Sequence, residues 1–482
     1  MNPETFDGSI CRSQEPFPEE KGSVLLQIKD ENTPLISSER RLQVQYQAVE
    51  EGDGALSESG STEDVTSPRY GSNGQFALFL YGLFSFGQSF AFVDWNPIEN
   101  SLLFAFPSWS ETTISWQSNI ALLSSPLVQW PVWILLKKFK LSTVIKYMCM
   151  LPLCLTTSIR VIPLLVLNEP ENIFTTLVYI SSFTIGVVGV IFYSSLSKFS
   201  SLYFRSASTT YPTGIAMICS NIGLVFASII GPFAVHDPIP IINEKKNIQD
   251  EIRNYLLLFA FIIGVIFMLV AFTFPEPIYD EMQDPSPSIK QNIFKILCDK
   301  DIVFLLSVNA LSTVPIYWSS TFLPIYLQRY GFGQKITGGL MSLSIVLSCF
   351  VTVLTTKFVD SRRISSWMMI FTLLFVQFIS SLIMSLYLSE NVPIGKACIA
   401  LFFVISNTSA LSIGSHIIPY GAKIGQNISK EVLNGSFFQI SSLFGSLFLF
   451  IFSIDSQRNW VPYSLTLTPC LATLLFFLVK MS

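Results

Sequence analysis

The sequence has few charged residues for its length. Only 13% of the 482 residues are Asp, Glu, Lys or Arg, whereas a soluble protein carries about 25%. Half of the residues are hydrophobic, and 42 of them are phenylalanines. So little charge excludes an ordinary water-soluble protein and indicates that much of the surface contacts lipid.

Residues that bind metals or hydrolyse substrates are also scarce. The chain has two histidines and eight cysteines, with no Cys-x-x-Cys pair and no Cys/His spacing typical of zinc. The sequence contains no Walker phosphate loop, no His-Glu-x-x-His helix and no Gly-x-Ser-x-Gly turn. We therefore expect neither an enzyme nor an ATP-driven pump, and no cofactor, metal or nucleic-acid partner.

Long apolar segments recur from Gln75 to the end of the chain. Each approaches the roughly 20 residues that an α-helix needs to cross a bilayer. The segments lie at 75–98, 114–136, 143–165, 173–196, 211–235, 254–274, 302–327, 336–357, 364–388, 396–419, 433–454 and 460–480. The sequence thus predicts an all-α membrane protein with twelve transmembrane helices.

A charged segment with four prolines, at 275–301, is the widest break between these spans. It divides them into six-helix halves at 75–274 and 302–482, which is the arrangement of the major facilitator superfamily. Fourteen Lys and Arg residues in the loops of one face, against eight in those of the other, indicate which face is cytosolic. This places both chain ends and the 275–301 linker in the cytosol.

The first 74 residues form a polar, acidic tail. They carry fourteen acidic and six basic residues, a composition that cannot bury a core and predicts disorder. Within this tail, Glu31 precedes Leu35-Ile36 in the spacing of an acidic dileucine sorting motif. We expect a clathrin adaptor to bind this motif and direct the protein to lysosomes or late endosomes; the plasma membrane is the alternative.

An acid and a tryptophan, Asp94 and Trp95, stand at the far end of the first span. An ionised carboxylate in hydrocarbon costs about 2.5 kcal/mol or more, so it normally faces a partner or a watery cavity. Asp94 could pair with a cationic solute, or bind a proton in an acidic lumen and release it in the cytosol. Alternatively, Asp94 caps or lines the mouth of the bundle while Trp95 anchors at the lipid interface.

The segment Trp95–Ser101 reads W-N-P-I-E-N-S and resembles the W-G-P-I-Q-N-S signature of solute carrier family forty-nine, the feline leukaemia virus subgroup C receptor-related transporters. Arg160–Pro163, Gly231-Pro232 and Trp318 extend the likeness, which is strongest to a lysosomal member of the family. The resemblance implies a major facilitator fold and passage of a small organic solute. Members of the family are associated with choline and ethanolamine, with haem, and with proton-driven pyridoxine export.

The resemblance also places the family's cavity residues on this chain. A cavity tryptophan of the first span falls on Phe92, and cavity glutamines of the fifth and eleventh spans fall on Asn221 and Ser442. Gln439 lies one helical turn from Ser442, and the repeat relates Trp95 to a tryptophan of the seventh span. The expected substrate-binding residues are Phe92, Asp94, Trp95, Asn221, Trp318, Gln439 and Ser442.

A gate is expected at the cytosolic end of the eighth span. Major facilitators typically place an Asp beside basic residues there, and the resemblance assigns this element to Asp360, Arg362 and Arg363. Asp360 would then sit against the positive N-terminal end of a helix. The matching position of the first half is Lys137, which indicates either altered gating or relaxed constraint on a surface loop.

These observations favour a secondary active or facilitative transporter that works by alternating access, with or without protons. Its expected partners are the lipid bilayer and a small organic metabolite, a pyridoxine-like or choline-like amine. The alternative from another class is a non-transporting receptor, sensor or scaffold that retains the fold. Among transporters, haem export is the alternative.

Overall fold

The structure is a computed structural model that describes residues 72–166, 171–204, 210–238, 244–277, 288–329, 331–361, 363–388, 395–454 and 461–479. The acidic tail, with Glu31, Leu35 and Ile36, lies outside these residues, as does Arg362. The sorting motif therefore stays a prediction from the sequence.

Every regular element in the described part of the chain is helical. The helices are α1 (Ser72–Phe92), α2 (Glu99–Ala105), α3 (Glu111–Lys138), α4 (Leu141–Thr143), α5 (Leu151–Ile159), α6 (Ile162–Val166), α7 (Glu171–Tyr203), α8 (Thr210–Ala234), α9 (Glu244–Thr273), α10 (Ile289–Cys298), α11 (Lys300–Arg329), α12 (Gln334–Asp360), α13 (Ser366–Leu388), α14 (Lys396–Ile424), α15 (Lys430–Ile454) and α16 (Val461–Phe476). A 3₁₀ turn at Asn96–Ile98 links α1 to α2, and a π-helical stretch at Val144–Met150 links α4 to α5.

Eleven helical stretches within the described residues are long and apolar enough to cross a membrane. They coincide with the first eleven predicted spans, so the all-helical membrane fold is confirmed. The twelfth predicted span, 460–480, contains a shorter helix, because α16 has 16 residues. At 1.5 Å per residue such a helix reaches about 24 Å, less than the roughly 30 Å of a hydrocarbon core.

The first span is interrupted where the sequence places its acid and its proline. α1 ends at Phe92, and Pro97 stands at the start of the 3₁₀ turn that precedes α2. Proline has no N–H to donate and fits best at the beginning of a helical segment, and here the chain bends instead of continuing straight. The bend buries Asp94, Trp95 and Glu99 inside the bundle.

Separate apolar cores support the two halves of the molecule. One cluster of buried side chains is drawn from residues 77–274, and two others are drawn almost entirely from residues 296–479. Leu122 and Trp133 of α3 are the exceptions, since they join the clusters of the second half. α3 therefore ties the first half to the second.

Two helix pairs carry most of the contact between the halves, α3 with α15 and α8 with α12. The α8–α12 pair approaches closely at Gly338, where an added Cβ would lie 2.4 Å from the Ser228 carbonyl oxygen. Within the first half, α7 approaches α3 at Gly186, where an added Cβ would lie 2.1 Å from the Ala121 carbonyl oxygen. Small residues at such positions let helix backbones pack closely in a membrane, where van der Waals contact drives association.

The segment between the halves contains a helix that the sequence reasoning missed. α10 begins with a capping box, in which the Ser288 hydroxyl accepts from the Gln291 N–H and the Gln291 side chain accepts from the Ser288 N–H. The buried Asn292 side chain accepts from the Ser429 N–H at 3.3 Å. The predicted linker 275–301 is therefore partly helical and docks onto the second half.

Candidate functional site

Asp94 and Arg160 form a salt bridge in the interior of the first half. Both side chains have no exposed surface, and the Nη2 of Arg160 donates to the Oδ2 of Asp94. Arg160 comes from the turn between α5 and α6, and the Tyr255 hydroxyl of α9 donates to the backbone oxygen of Asp94 at 3.0 Å. Two other stretches of the chain thus contact the bend after α1.

The guanidinium group of the same arginine lies over the indole ring of Trp95. The guanidinium carbon of Arg160 lies 4.8 Å from the centroid of the Trp95 ring and 5.2 Å from that of Phe259. Trp95 also meets the rings of Trp109 and Phe174 edge to face, at 6.4 and 6.0 Å. In this conformation an internal cation occupies the position over Trp95 where the sequence led us to expect a solute.

A small cavity lies beside this cluster. Its volume is about 10 Å³, and its lining includes Asp94, Asn96, Gln117 and Ser118. This volume holds one water molecule at most, and neither amide atom of the buried Gln117 side chain has a partner among the described residues. The space next to Asp94 therefore suits a structural water and is far too small for an organic metabolite.

A second group of residues lies between the halves and was not predicted as a set. The Tyr193 ring of α7 stacks on Phe438 of α15, with 4.2 Å between the centroids. Tyr317 of α11 lies near Tyr193. Phe92 of α1 packs on the apolar cluster that contains Trp318 and that Tyr317 also contacts. We call Phe92, Tyr193, Tyr317 and Phe438 the central aromatic group.

The members of the central aromatic group share two properties. All four side chains are half-buried, and they come from helices of both halves. Tyrosine and phenylalanine rings attract cations over their faces. Two tyrosines in apolar spans were the available signal in the sequence, but nothing in their spacing showed that they would meet.

The other predicted substrate residues distribute around this group. Ser442 is buried on α15 and lies beside Tyr317, and Gln439 is half-buried one turn away. The Asn221 amide of α8 donates to the Cys349 sulfur of α12 at 3.6 Å, which crosses between the halves. Trp318 is buried in the core of the second half, so it supports the site instead of lining it.

The predicted gate is described only in part. Asp360 is the last residue of α12 and its side chain lies outside the described atoms, as does Arg362. Arg363 is exposed, and its N–H donates to the Phe358 carbonyl at 3.3 Å. The gate assignment stays a prediction.

A network that the sequence did not reveal joins the halves at the end of the bundle that carries α2. We call this the outer end; it is the non-cytosolic end in the predicted orientation. The Gln334 amide of α12 donates to the Ser101 hydroxyl at 2.8 Å, and the Gln334 N–H lies 3.3 Å from the Asp237 carboxylate. The Ser101 hydroxyl in turn donates to the His236 carbonyl at 2.7 Å. The outer end is thus held closed by polar contacts.

Comparison with known proteins identifies relatives that are similar to this chain in sequence. The chain is 21% identical over 352 residues to the choline/ethanolamine transporter flvcr2a of Danio rerio, an alignment that covers 66% of this chain and 71% of that protein. It is 23% identical over 282 residues to flvcr2b, the choline/ethanolamine transporter of the same organism, covering 56% of each chain. These relatives agree with the family resemblance found in the sequence.

A solved structure supports the same fold. The D-xylose–proton symporter superposes with a TM-score of 0.65 at 13% identity, covering 84% of this chain and 97% of that one. In addition, the family model described as Major Facilitator Superfamily matches residues 76–422. Because that match covers well over half of the chain, this multi-pass membrane protein belongs to the Major Facilitator Superfamily.

Proposed function

We propose that the protein carries a small organic amine of the choline or ethanolamine type across a membrane by alternating access. The observation that carries this proposal is the central aromatic group, whose half-buried rings come from both halves. An ammonium over such a ring gains about 0.5–2 kcal/mol, most when the site is dry. A site divided between two halves can open to either side when the halves rock about it.

The polar neighbours of the group suit the rest of such a solute. Ser442, Gln439 and Asn221 can donate to or accept from a hydroxyl. Asp94 forms a salt bridge with Arg160. In the closed state the aromatic rings, and not this carboxylate, therefore attract the positive charge of the solute. We assign Asp94 and Trp95 the role of holding the bend after α1, which positions Phe92.

The two relatives, flvcr2a and flvcr2b of Danio rerio, support the solute class, because both are choline/ethanolamine transporters. Pyridoxine is the second solute to test, since its aromatic ring could stack where an ammonium would sit. A lysosomal location through Glu31, Leu35 and Ile36, and a cytosolic gate at Asp360, Arg362 and Arg363, remain part of the proposal.

Uptake by purified protein in liposomes tests this function. Labelled choline, ethanolamine and pyridoxine are offered singly, and competition with unlabelled solutes ranks their affinity. Tyr317→Ala should weaken choline binding by up to about tenfold, whereas Tyr317→Phe should retain most of it, because the ring face supplies the attraction. Tyr147→Ala is the matched control, since Tyr147 is 59% exposed on the outside of the bundle.

The results separate transport from the alternative class. A receptor or sensor would bind choline with the same dependence on Tyr317 but move none of it across the membrane. If Tyr317→Ala and Tyr147→Ala behave alike in binding and uptake, the central aromatic group is not the solute site.

A further inference from the structure

Glu99 is a buried acid that no described interaction uses. It is the first residue of α2, and its side chain has no exposed surface. Neither carboxylate oxygen has a hydrogen-bond partner among the described residues. Asp94, five residues earlier, has Arg160. The two acids of the same bend therefore stand in opposite situations.

The charged side chains that the structure describes on the surrounding elements give the Glu99 carboxylate no compensating positive charge. On α3, Glu111 is near enough to repel a charge on Glu99. Arg160 is bonded to Asp94, and Glu251 of α9 is bonded to His236 at 2.9 Å. On α12, the Lys335 ammonium lies 5.5 Å from the centroid of the Phe233 ring. On α11, Lys300 and Asp301 are in the first turn, at the opposite end of the helix from the one that leads into α12, and the Arg329 side chain lies outside the described residues.

An isolated carboxylate in a dry interior is so unfavourable that a carboxyl group in this setting takes up a proton and becomes neutral. We propose that Glu99 carries a proton that is exchanged when the two halves separate at the outer end. The bound species is a proton on the carboxyl oxygen, and the site is the buried carboxyl group at the start of α2. The inference rests on the proposed transport function for the role of the proton, whereas the protonation of Glu99 follows from its burial.

The contact between the halves explains why exchange of the Glu99 proton would depend on whether the outer end is open. Two residues beyond Glu99, the Ser101 hydroxyl accepts from Gln334 of the second half at 2.8 Å. α2 also packs directly on α11. When the halves part at this end, α2 loses that cover and water reaches Glu99. The carboxyl O–H bond can then break, the proton passes to water, and the hydrated carboxylate remains.

Closing the outer end again requires the negative charge to be neutralised. Taking up one proton from the water at the outer end achieves this, so the proton released on opening is regained from the same side on closing. The carboxyl therefore makes the balance between the open and closed states depend on the pH at the outer end, and a higher pH on that side favours the open state.

Infrared difference spectroscopy tests the protonation without any solute. Purified protein at neutral pH should show the C=O stretch of a protonated carboxyl group. The Glu99→Gln variant should lack this band. Glu171 is an acid at the start of α7, and the control variant Glu171→Gln should keep the band. Gln334→Ala, which loosens the outer contact, should reduce the band at the same pH. An unchanged band in Glu99→Gln would overturn the proposal.

A liposome assay tests the coupling. Choline uptake by the parent protein should change with the pH on the side that the outer end faces, and uptake that remains in Glu99→Gln should not depend on that pH. The same pH dependence of uptake in both proteins would contradict the proposal. If no protein moves choline, ethanolamine or pyridoxine, the proposed function fails, and the infrared result still decides the state of Glu99.

Discussion

Asp94 and Arg160 form an ion pair with no exposed surface, between the bend that ends α1 and the turn that separates α5 from α6. Removing one partner of such a pair leaves an uncompensated buried charge, which costs about 3–5 kcal/mol. Arg160→Met and Asp94→Leu should therefore each lower the thermal unfolding temperature sharply. The double variant should recover most of the loss, because two apolar side chains replace a pair whose desolvation is expensive.

The surface pair on α9 provides the control for this experiment. The Nη1 of Arg253 lies 2.8 Å from the Oδ1 of Asp250, and both side chains are partly exposed. Arg253→Met should cost at most about 1 kcal/mol, since water screens exposed pairs. If the double variant at Asp94 and Arg160 is as unstable as the sum of the single variants, the two residues do not depend on each other.

Close approach of α7 to α3 at Gly186 gives a second prediction. A methyl group there would lie 2.1 Å from both the Ala121 carbonyl oxygen and the Ser124 hydroxyl. Gly186→Ala should therefore destabilise the first half by about 1–3 kcal/mol, the usual cost of overpacking. Gly264→Ala on α9, where an added Cβ meets nothing within 4 Å, should be neutral or slightly stabilising because alanine is the better helix former.

Thermal unfolding of the two alanine variants in one detergent, or in lipid nanodiscs, measures the difference. Equal unfolding temperatures for Gly186→Ala and Gly264→Ala would mean that α7 can shift away from α3 without cost.

The membrane-spanning helices could be predicted because their cause is local. A run of apolar residues near bilayer length specifies a helix wherever it stands in the chain, and eleven long helices appear where the sequence predicts them. The family match confirmed the superfamily, the fold class and the prediction that the protein is not an enzyme. These conclusions needed composition, periodicity and one short signature.

The candidate site could not be predicted in the same way, because its determinants are distant in the sequence. Asp94 was correctly identified as a costly acid, but its partner Arg160 lies 66 residues away, and nothing in either segment specifies the pairing. The meeting of Tyr193 with Phe438 depends on how two halves pack. The isolation of Glu99 is likewise a property of its neighbours and not of its own segment.

The acidic tail carries a prediction that depends on sequence alone. If an adaptor reads Glu31 with Leu35-Ile36, replacing Leu35 and Ile36 by alanine should move the protein from lysosomes to the plasma membrane. Leu25-Leu26 is the matched control, because Lys21 stands where the motif requires an acid. Imaging of tagged variants measures the distribution, and the same location for both double variants would leave the motif without a role.

The outer network makes the last prediction, which concerns the balance between open and closed states. Gln334 is the residue of the second half that reaches both Ser101 and Asp237 of the first. A neutral hydrogen bond contributes about 0.5–1.5 kcal/mol, and a change of that size alters a two-state ratio roughly twofold to tenfold. Gln334→Ala should therefore raise the population that is open at the outer end.

Gln249→Ala is the control and should leave this population unchanged, because the Gln249 amide donates at 2.8 Å to the Ala105 carbonyl within the first half. Spin labels on cysteines introduced at Thr112 and Ile336, in a background without the native cysteines, report the separation of the halves. Equal distance distributions for the two glutamine variants would show that other contacts hold the outer end closed. Ser101→Ala combined with Gln334→Ala should add little to Gln334→Ala alone, since both changes remove the same bond.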